Sequence, residues 1–273
     1  MNSSLLNHDT LESADAPVPY PRPRYTPVSR LRQYVILLLT LLSNYRSEWF
    51  FHIFAGLLLP ISLVFFARSI AGTVDMDGRI FLMGGNMALS IAFGPSLFLI
   101  GRLGWARQNK EFDYWITLPI PKMVLVIAII SLGLLFALPG LLGTYLLGAL
   151  LLGLPFSGGW TLIFLVPLSA LSMAGFGALI GSLSPNGQVA NVIGNLFIML
   201  IGFLSPMMIR PENLPVPLQI FSRVVPTTYI ADAFRIALGG HTATSLSIDV
   251  VVLLVMSVVV LGIAQWKLDW RTH

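Results

Sequence analysis

MVLVIAIISLGLLFALPGLLGTYLLGALLLG, residues 123–153, opens the stretch that decides the fold. It runs on to Ile209, 87 residues without one Asp, Glu, Lys, Arg or His. As a single helix it would reach roughly 130 Å, about four bilayer cores, at a rise of ~1.5 Å per residue. The stretch must therefore fold back on itself inside a membrane. Two breaks rich in Gly, Pro and Ser divide it, Gly153-Leu-Pro-Phe-Ser-Gly-Gly159 and Gly181-Ser-Leu-Ser-Pro-Asn-Gly187. Three apolar spans result, near 123–152, 160–180 and 188–209.

Toward the C-terminus the chain turns polar at Arg210-Pro-Glu-Asn-Leu-Pro-Val-Pro217. Leu218 to Val225 and Thr228 to Leu238 read as short helices, too polar to cross alone, closed by Gly239-Gly240-His241. A last span follows at Val250 to Gln265. Toward the N-terminus lie a mixed loop, Arg107 to Lys122, and a second span from about Ile80 to Gly101. The first span, Trp49 to Ala67, holds Pro60, which predicts a kink. Before it, Val28, Leu31, Val35, Leu38, Leu42 and Tyr45 recur at helical spacing. The apolar run there is short of the ~20 residues a crossing needs. An interfacial helix fits, and a tilted span is the alternative. Residues 1–27, with Pro17, Pro19, Pro21, Pro23 and Pro27, read as a disordered tail and not a signal peptide. Residues 28–273 read as one transmembrane domain.

Of 273 residues, 56% are hydrophobic and only 10% charged, which places the chain in the membrane class. There is no cysteine, hence no disulfide and no thiolate metal site. No basic cluster with interleaved aromatics suggests nucleic acid. Six spans put both termini on one side. Eleven of the 16 Lys and Arg fall on that side, so both termini are expected in the cytoplasm. The loop Gly181–Gly187 should share that side, yet it carries no basic residue.

The missing chemistry narrows the function. Gradient-driven transporters usually carry ionisable groups within their spans. Here only His52 and Asp249 come near, both at span edges. A phosphate-binding loop needs a lysine after glycine, and Lys110, Lys122 and Lys267 have none before them. No metal motif and no clustered carboxylates suggest an enzyme. Any ATP and Mg are expected on a separate chain.

Two stretches are candidate sites on residue type alone. Glu111, Phe112, Asp113, Tyr114 and Trp115, followed by Leu118 and Pro119, read as a short amphipathic helix outside the spans. Aromatics beside acids serve either a membrane anchor or a protein partner. Gly187, Asn191, Asn195, Ile198 and Gly202 recur at helical spacing in the fifth span. Small and amide residues allow close helix packing and interhelical hydrogen bonds. Such a face serves packing within the chain, a subunit interface or a translocation path.

The order of these features resembles the permease subunits of ABC transporters of the type-2 exporter (ABC-2) class. The resemblance covers about residues 28–270. An interfacial helix precedes six spans, and an acidic segment after the second ends in Leu118-Pro119-Ile120-Pro121. After the fifth span come Ser205-Pro206, Glu212-Asn-Leu-Pro215, Val225-Pro226-Thr-Thr-Tyr229 and Asp232-Ala-Phe-Arg235. Val225 departs from the Asn common at that place.

The resemblance implies an all-α permease of six transmembrane helices in the plasma (inner) membrane. It implies two ABC ATPase subunits and a second permease, identical or homologous. It implies that the segment from Glu111 to Pro119 docks on the ATPase. Pro206, Glu212, Pro215, Pro226, Tyr229, Asp232 and Arg235 would belong to re-entrant helices at the outer face. The Gly187, Asn191, Asn195 and Gly202 face would line the subunit interface or the path. The function expected is ATP-driven export of a hydrophobic or amphipathic cargo such as a drug, lipid or glycan-lipid. A membrane scaffold and a gradient-driven carrier are the alternatives.

Overall fold

The computed structural model describes residues 29–70, 74–117, 120–154, 156 and 158–267. The tail expected over 1–27 lies outside these. Among the described residues every long element is a helix. In chain order they are α1 Arg30–Asn44, α2 Trp49–Ile70, α3 Met76–Gln108, α4 Glu111–Thr117 and α5 Lys122–Leu152. Then come α6 Gly159–Leu183, α7 Gly187–Leu204, α8 Val216–Ser222, α9 Pro226–Ala237 and α10 Leu246–Lys267. The chain is an all-α membrane protein.

The boundaries follow local chemistry. The Asp75 side chain accepts from the Gly78 N–H at 2.9 Å and starts α3. Asn186 caps α7 in the same way through the Val189 N–H at 2.8 Å. Gly153, at φ 67°, takes the left-handed conformation that ends α5. Within α2, α3, α5 and α6 sit Pro60, Pro95, Pro139 and Pro167. Each removes one backbone donor from its helix without ending it, as packed membrane helices tolerate.

Among the described residues five helices, α2, α3, α5, α6 and α10, are long and apolar enough to cross a membrane. The apolar run of α7, Gly187–Gly202, is shorter, so the expected six-span layout rests on α7 as its short member. The fifth span was expected to reach residue 209. It stops at Leu204 because Ser205-Pro206 cannot continue a helix. The second span was expected over 80–101, yet α3 extends to Gln108. Its polar end still hydrogen-bonds as a helix beyond the apolar zone. α1 has 15 residues and is too short to cross, in line with the interfacial expectation.

α3 is the hub, touching α2, α4, α5, α6, α7 and α9. Small residues let its neighbours close in. A Cβ on Gly177 of α6 would stand 2.8 Å from the Ser96 carbonyl oxygen of α3, so only glycine fits there. The α2 side chains Trp49, Phe50, Phe51, Phe54, Leu58, Phe65 and Phe66 are exposed, and so is an apolar row on α7. Faces this apolar belong against lipid or another chain.

Candidate functional site

The two ends of α3 carry the residues that the sequence singles out. At its C-terminal end, Asn109 and Lys110 turn the chain into α4. Lys110 lies at φ 55°, a left-handed conformation unusual for a side-chain-bearing residue. Arg102 of α3 donates through Nη2 to Glu111 Oε2 at 2.5 Å. Its guanidinium also lies 5.1 Å from the Trp115 ring centroid. Arg107 donates to the Ser182 carbonyl, and Gln108 accepts from the Gly187 N–H at 3.2 Å. The end of α3 is thus tied both to α4 and to the α6–α7 turn.

α4 corrects one expectation. Phe112 was expected to face a partner, but it is 3% exposed. It packs edge-on against Trp115 at 5.2 Å and joins a buried cluster with Leu41, Ala106, Leu125 and Val126. Trp115 is half-buried beside it. The outward face carries Asp113 and Tyr114, the latter 63% exposed. Leu118 and Pro119 lie outside the described residues.

At the other end of α3, the chain leaving α7 folds back through Ser205, Pro206 and Met207. A Cβ on Gly85 would lie 1.7 Å from the Met207 carbonyl oxygen, so this approach requires glycine. Over it sits Arg235 of α9, 2% exposed. Arg235 donates through Nη1 to Asp232 Oδ1 at 2.8 Å and through Nε to the Phe81 carbonyl at 3.2 Å. Its Nη2 donates to the Pro206 and Met207 carbonyls at 2.8 and 3.0 Å. The guanidinium stacks 3.5 Å from the Phe81 ring centroid.

Burial pulls the Arg235 guanidinium down to about 10, against the opposing charge of Asp232. Burial likewise raises the Asp232 carboxyl, against the pull of Arg235. At about 10, the Arg235 guanidinium is charged at neutral pH. Arg235 is buried and Asp232 half-buried because α9 packs on α3, α6 and α10.

The remaining outer residues divide. Pro226 begins α9, and the Tyr229 hydroxyl donates to the Arg223 carbonyl at 2.7 Å. Thr228 donates to the Ser222 carbonyl at 2.6 Å. Glu212 and Pro215 are exposed on the turn beyond and do not join the cluster. Asp249, read as an edge residue, is 0% exposed in the first turn of α10. A helix N-terminus is electrostatically favourable to a carboxylate.

The α7 residues expected on one face are split. Gly187 lies against the Trp105 ring, and Ile198 is buried. Asn191 and Gly202 are at the edge. Asn195 is exposed beside Val192, Leu196 and Met199. At ~100° per residue, eight positions from Gly187 turn the helix by roughly 80°, which rotates Asn195 out of the packed face.

Sequence reading gave neither Phe81 nor Arg102 a role in a site. Arg102 had a visible signal, an acid nine residues on across a turn. Phe81 had none.

Residues 32–238 match the family model described as ABC-2 type transporter. No curated protein matches the chain.

Proposed function

The chain belongs to the ABC-2 type transporter family, and from that premise we propose that it is the permease of an ATP-driven exporter. Membership makes it the membrane-embedded component of an ABC transporter, with an ABC ATPase as its partner. In the proposed complex two ATPase copies bind the ATP and Mg. They sit under the α3–α4 end, which faces the cytoplasm together with both termini. The cargo is hydrophobic or amphipathic and leaves past α8 and α9 at the outer face of the plasma (inner) membrane.

One observation carries this reading: the family match runs from α1 through α9, with α10 outside it, and includes α4 with Tyr114 turned outward. A second permease is part of the proposal. Asn195 is exposed in an otherwise apolar row, and an amide facing lipid leaves its hydrogen bonds unmet. Across a two-fold axis, Asn195 and its counterpart would satisfy each other.

Reconstitution tests the exporter. The chain alone should hydrolyse no ATP. With its ATPase in proteoliposomes it should move an amphipathic dye only when ATP is supplied. Dye movement driven by a proton gradient without ATP would refute the proposal.

A further inference from the structure

A cavity of about 1010 Å³ runs along α3, beside α2 and α5. It is a half-open groove whose lining runs from Asn44 and Glu48, at the α4 end of the bundle, to Pro60 and Ser90, midway along the helices. That volume suits a drug-sized or single-chain molecule. One wall is aromatic. Tyr45 and His52 lie 5.3 Å apart, His52 and Phe136 5.0 Å, and Phe98 and Phe136 5.6 Å between ring centroids. Beyond the rings the lining is largely apolar, with Leu89 and Leu97, while Asn191 of α7 adds an amide.

The mouth has a definite charge. Glu48, Glu111 and Arg102 line it. Arg102 is already held by Glu111 and by the Trp115 ring. Glu48 has no ion pair among the described residues. The Nδ1 of His52 lies 3.0 Å from the Glu48 backbone carbonyl, which can only accept. Nδ1 can therefore only donate here, as Nδ1–H. Burial holds the Tyr45 phenol above its usual value, opposed by Arg102 and reinforced by Glu111 and Glu48. The phenol is uncharged at neutral pH. The mouth thus offers one surplus carboxylate and a wall of aromatic rings, while its one guanidinium is already engaged.

We propose that this cavity binds a single-chain cationic amphiphile, its ammonium head at Glu48, Tyr45 and His52 and its chain along Phe98 and Leu97 toward Ser90. Carboxylate and ring faces attract an organic cation together, and the shaft removes its chain from water. That the ligand is cargo rests on the exporter reading; that it binds does not.

The full-length protein in a neutral maltoside detergent can be titrated with radiolabelled hexadecyltrimethylammonium and, in parallel, hexadecyl sulfate. The expected result is saturable binding of the cation, with the sulfate about tenfold weaker or more. Glu48→Gln should weaken the cation about fivefold and narrow the gap between the two probes. Leu97→Trp, which fills the shaft, should weaken both probes alike. Equal affinity for the two probes on the unaltered protein overturns the proposal, and needs no variant to fold. So does cation binding that neither substitution changes while thermal unfolding stays normal. Cation binding without ATP-driven export would sink the exporter reading and leave this one standing. Export without cation preference would do the reverse.

Discussion

Each end of α3 is built on the same three parts: an arginine, an acid and an aromatic ring. At the α4 end Arg102 pairs with Glu111 and lies 5.1 Å from Trp115. At the α9 end Arg235 pairs with Asp232 and lies 3.5 Å from Phe81. The difference is in the surroundings. The Arg102 and Glu111 side chains are 13% and 31% exposed, and among the described residues Arg102 donates to no backbone carbonyl. Arg235 is 2% exposed and donates to three backbone carbonyls as well. The same parts therefore make a partly exposed pair at one end and a lock at the other. A buried guanidinium stripped of one partner is costly, whereas a wet ion pair is worth little.

The largest effect should come from breaking the lock. Arg235→Ala removes four hydrogen bonds and strands the Asp232 carboxylate, and should destabilise the protein by about 3–5 kcal/mol. Arg235→Lys should recover only part of this, since an ammonium cannot reproduce the planar fork. Thermal unfolding in detergent measures both. A normal unfolding midpoint for Arg235→Ala would show that the two ends do not differ.

At the α4 end the exposed ring, and not the arginine, should matter most. Tyr114→Ala should leave the unfolding midpoint unchanged but weaken ATPase association by roughly thirtyfold, the equivalent of ~2 kcal/mol. Phe112→Ala is the matched control. It deletes a core side chain, so its binding loss should come with a lowered midpoint. If Tyr114→Ala binds the ATPase normally, α4 serves only to anchor the chain.

The smallest effect belongs to the wet pair. Glu111→Gln should cost no more than about 1 kcal/mol, and the loss should shrink as salt is raised. Unfolding followed at low and high ionic strength separates this from a structural role. A large, salt-independent loss would mean that Arg102–Glu111 behaves like its counterpart.

What the sequence made legible, and what it hid, follows the range of the interactions. The charge-free block places α5, α6 and α7 to within a few residues, because burial in lipid acts on composition alone. The three-residue spacing of Asp232 and Arg235 is also local, and the pair is there. Its burial was not legible. The carbonyls that decide it belong to Phe81, Pro206 and Met207, 154, 29 and 28 residues away. α4 failed for a different reason. Seven residues with aromatics at 112, 114 and 115 point in several directions, and no periodicity says which one faces in. For α7 the spacing was sound, but a five-residue set spread over roughly 80° straddles the border of the packed face.

Both arginine clusters hang on one helix, and that has a geometric consequence. Phe81 and Arg102 stand 21 positions apart on α3 (102 − 81), or roughly 30 Å along its axis. α3 is packed along most of that length, so it moves as a strut. A tilt of about 5° at one end shifts the other by roughly 3 Å over such a span. No side chain in between has to change rotamer. Pro95 lies between the two clusters, where the Ile91 carbonyl lacks its helical donor, so any bend of the strut falls there. An unbent strut would carry a tilt from one end to the other without a relay of contacts.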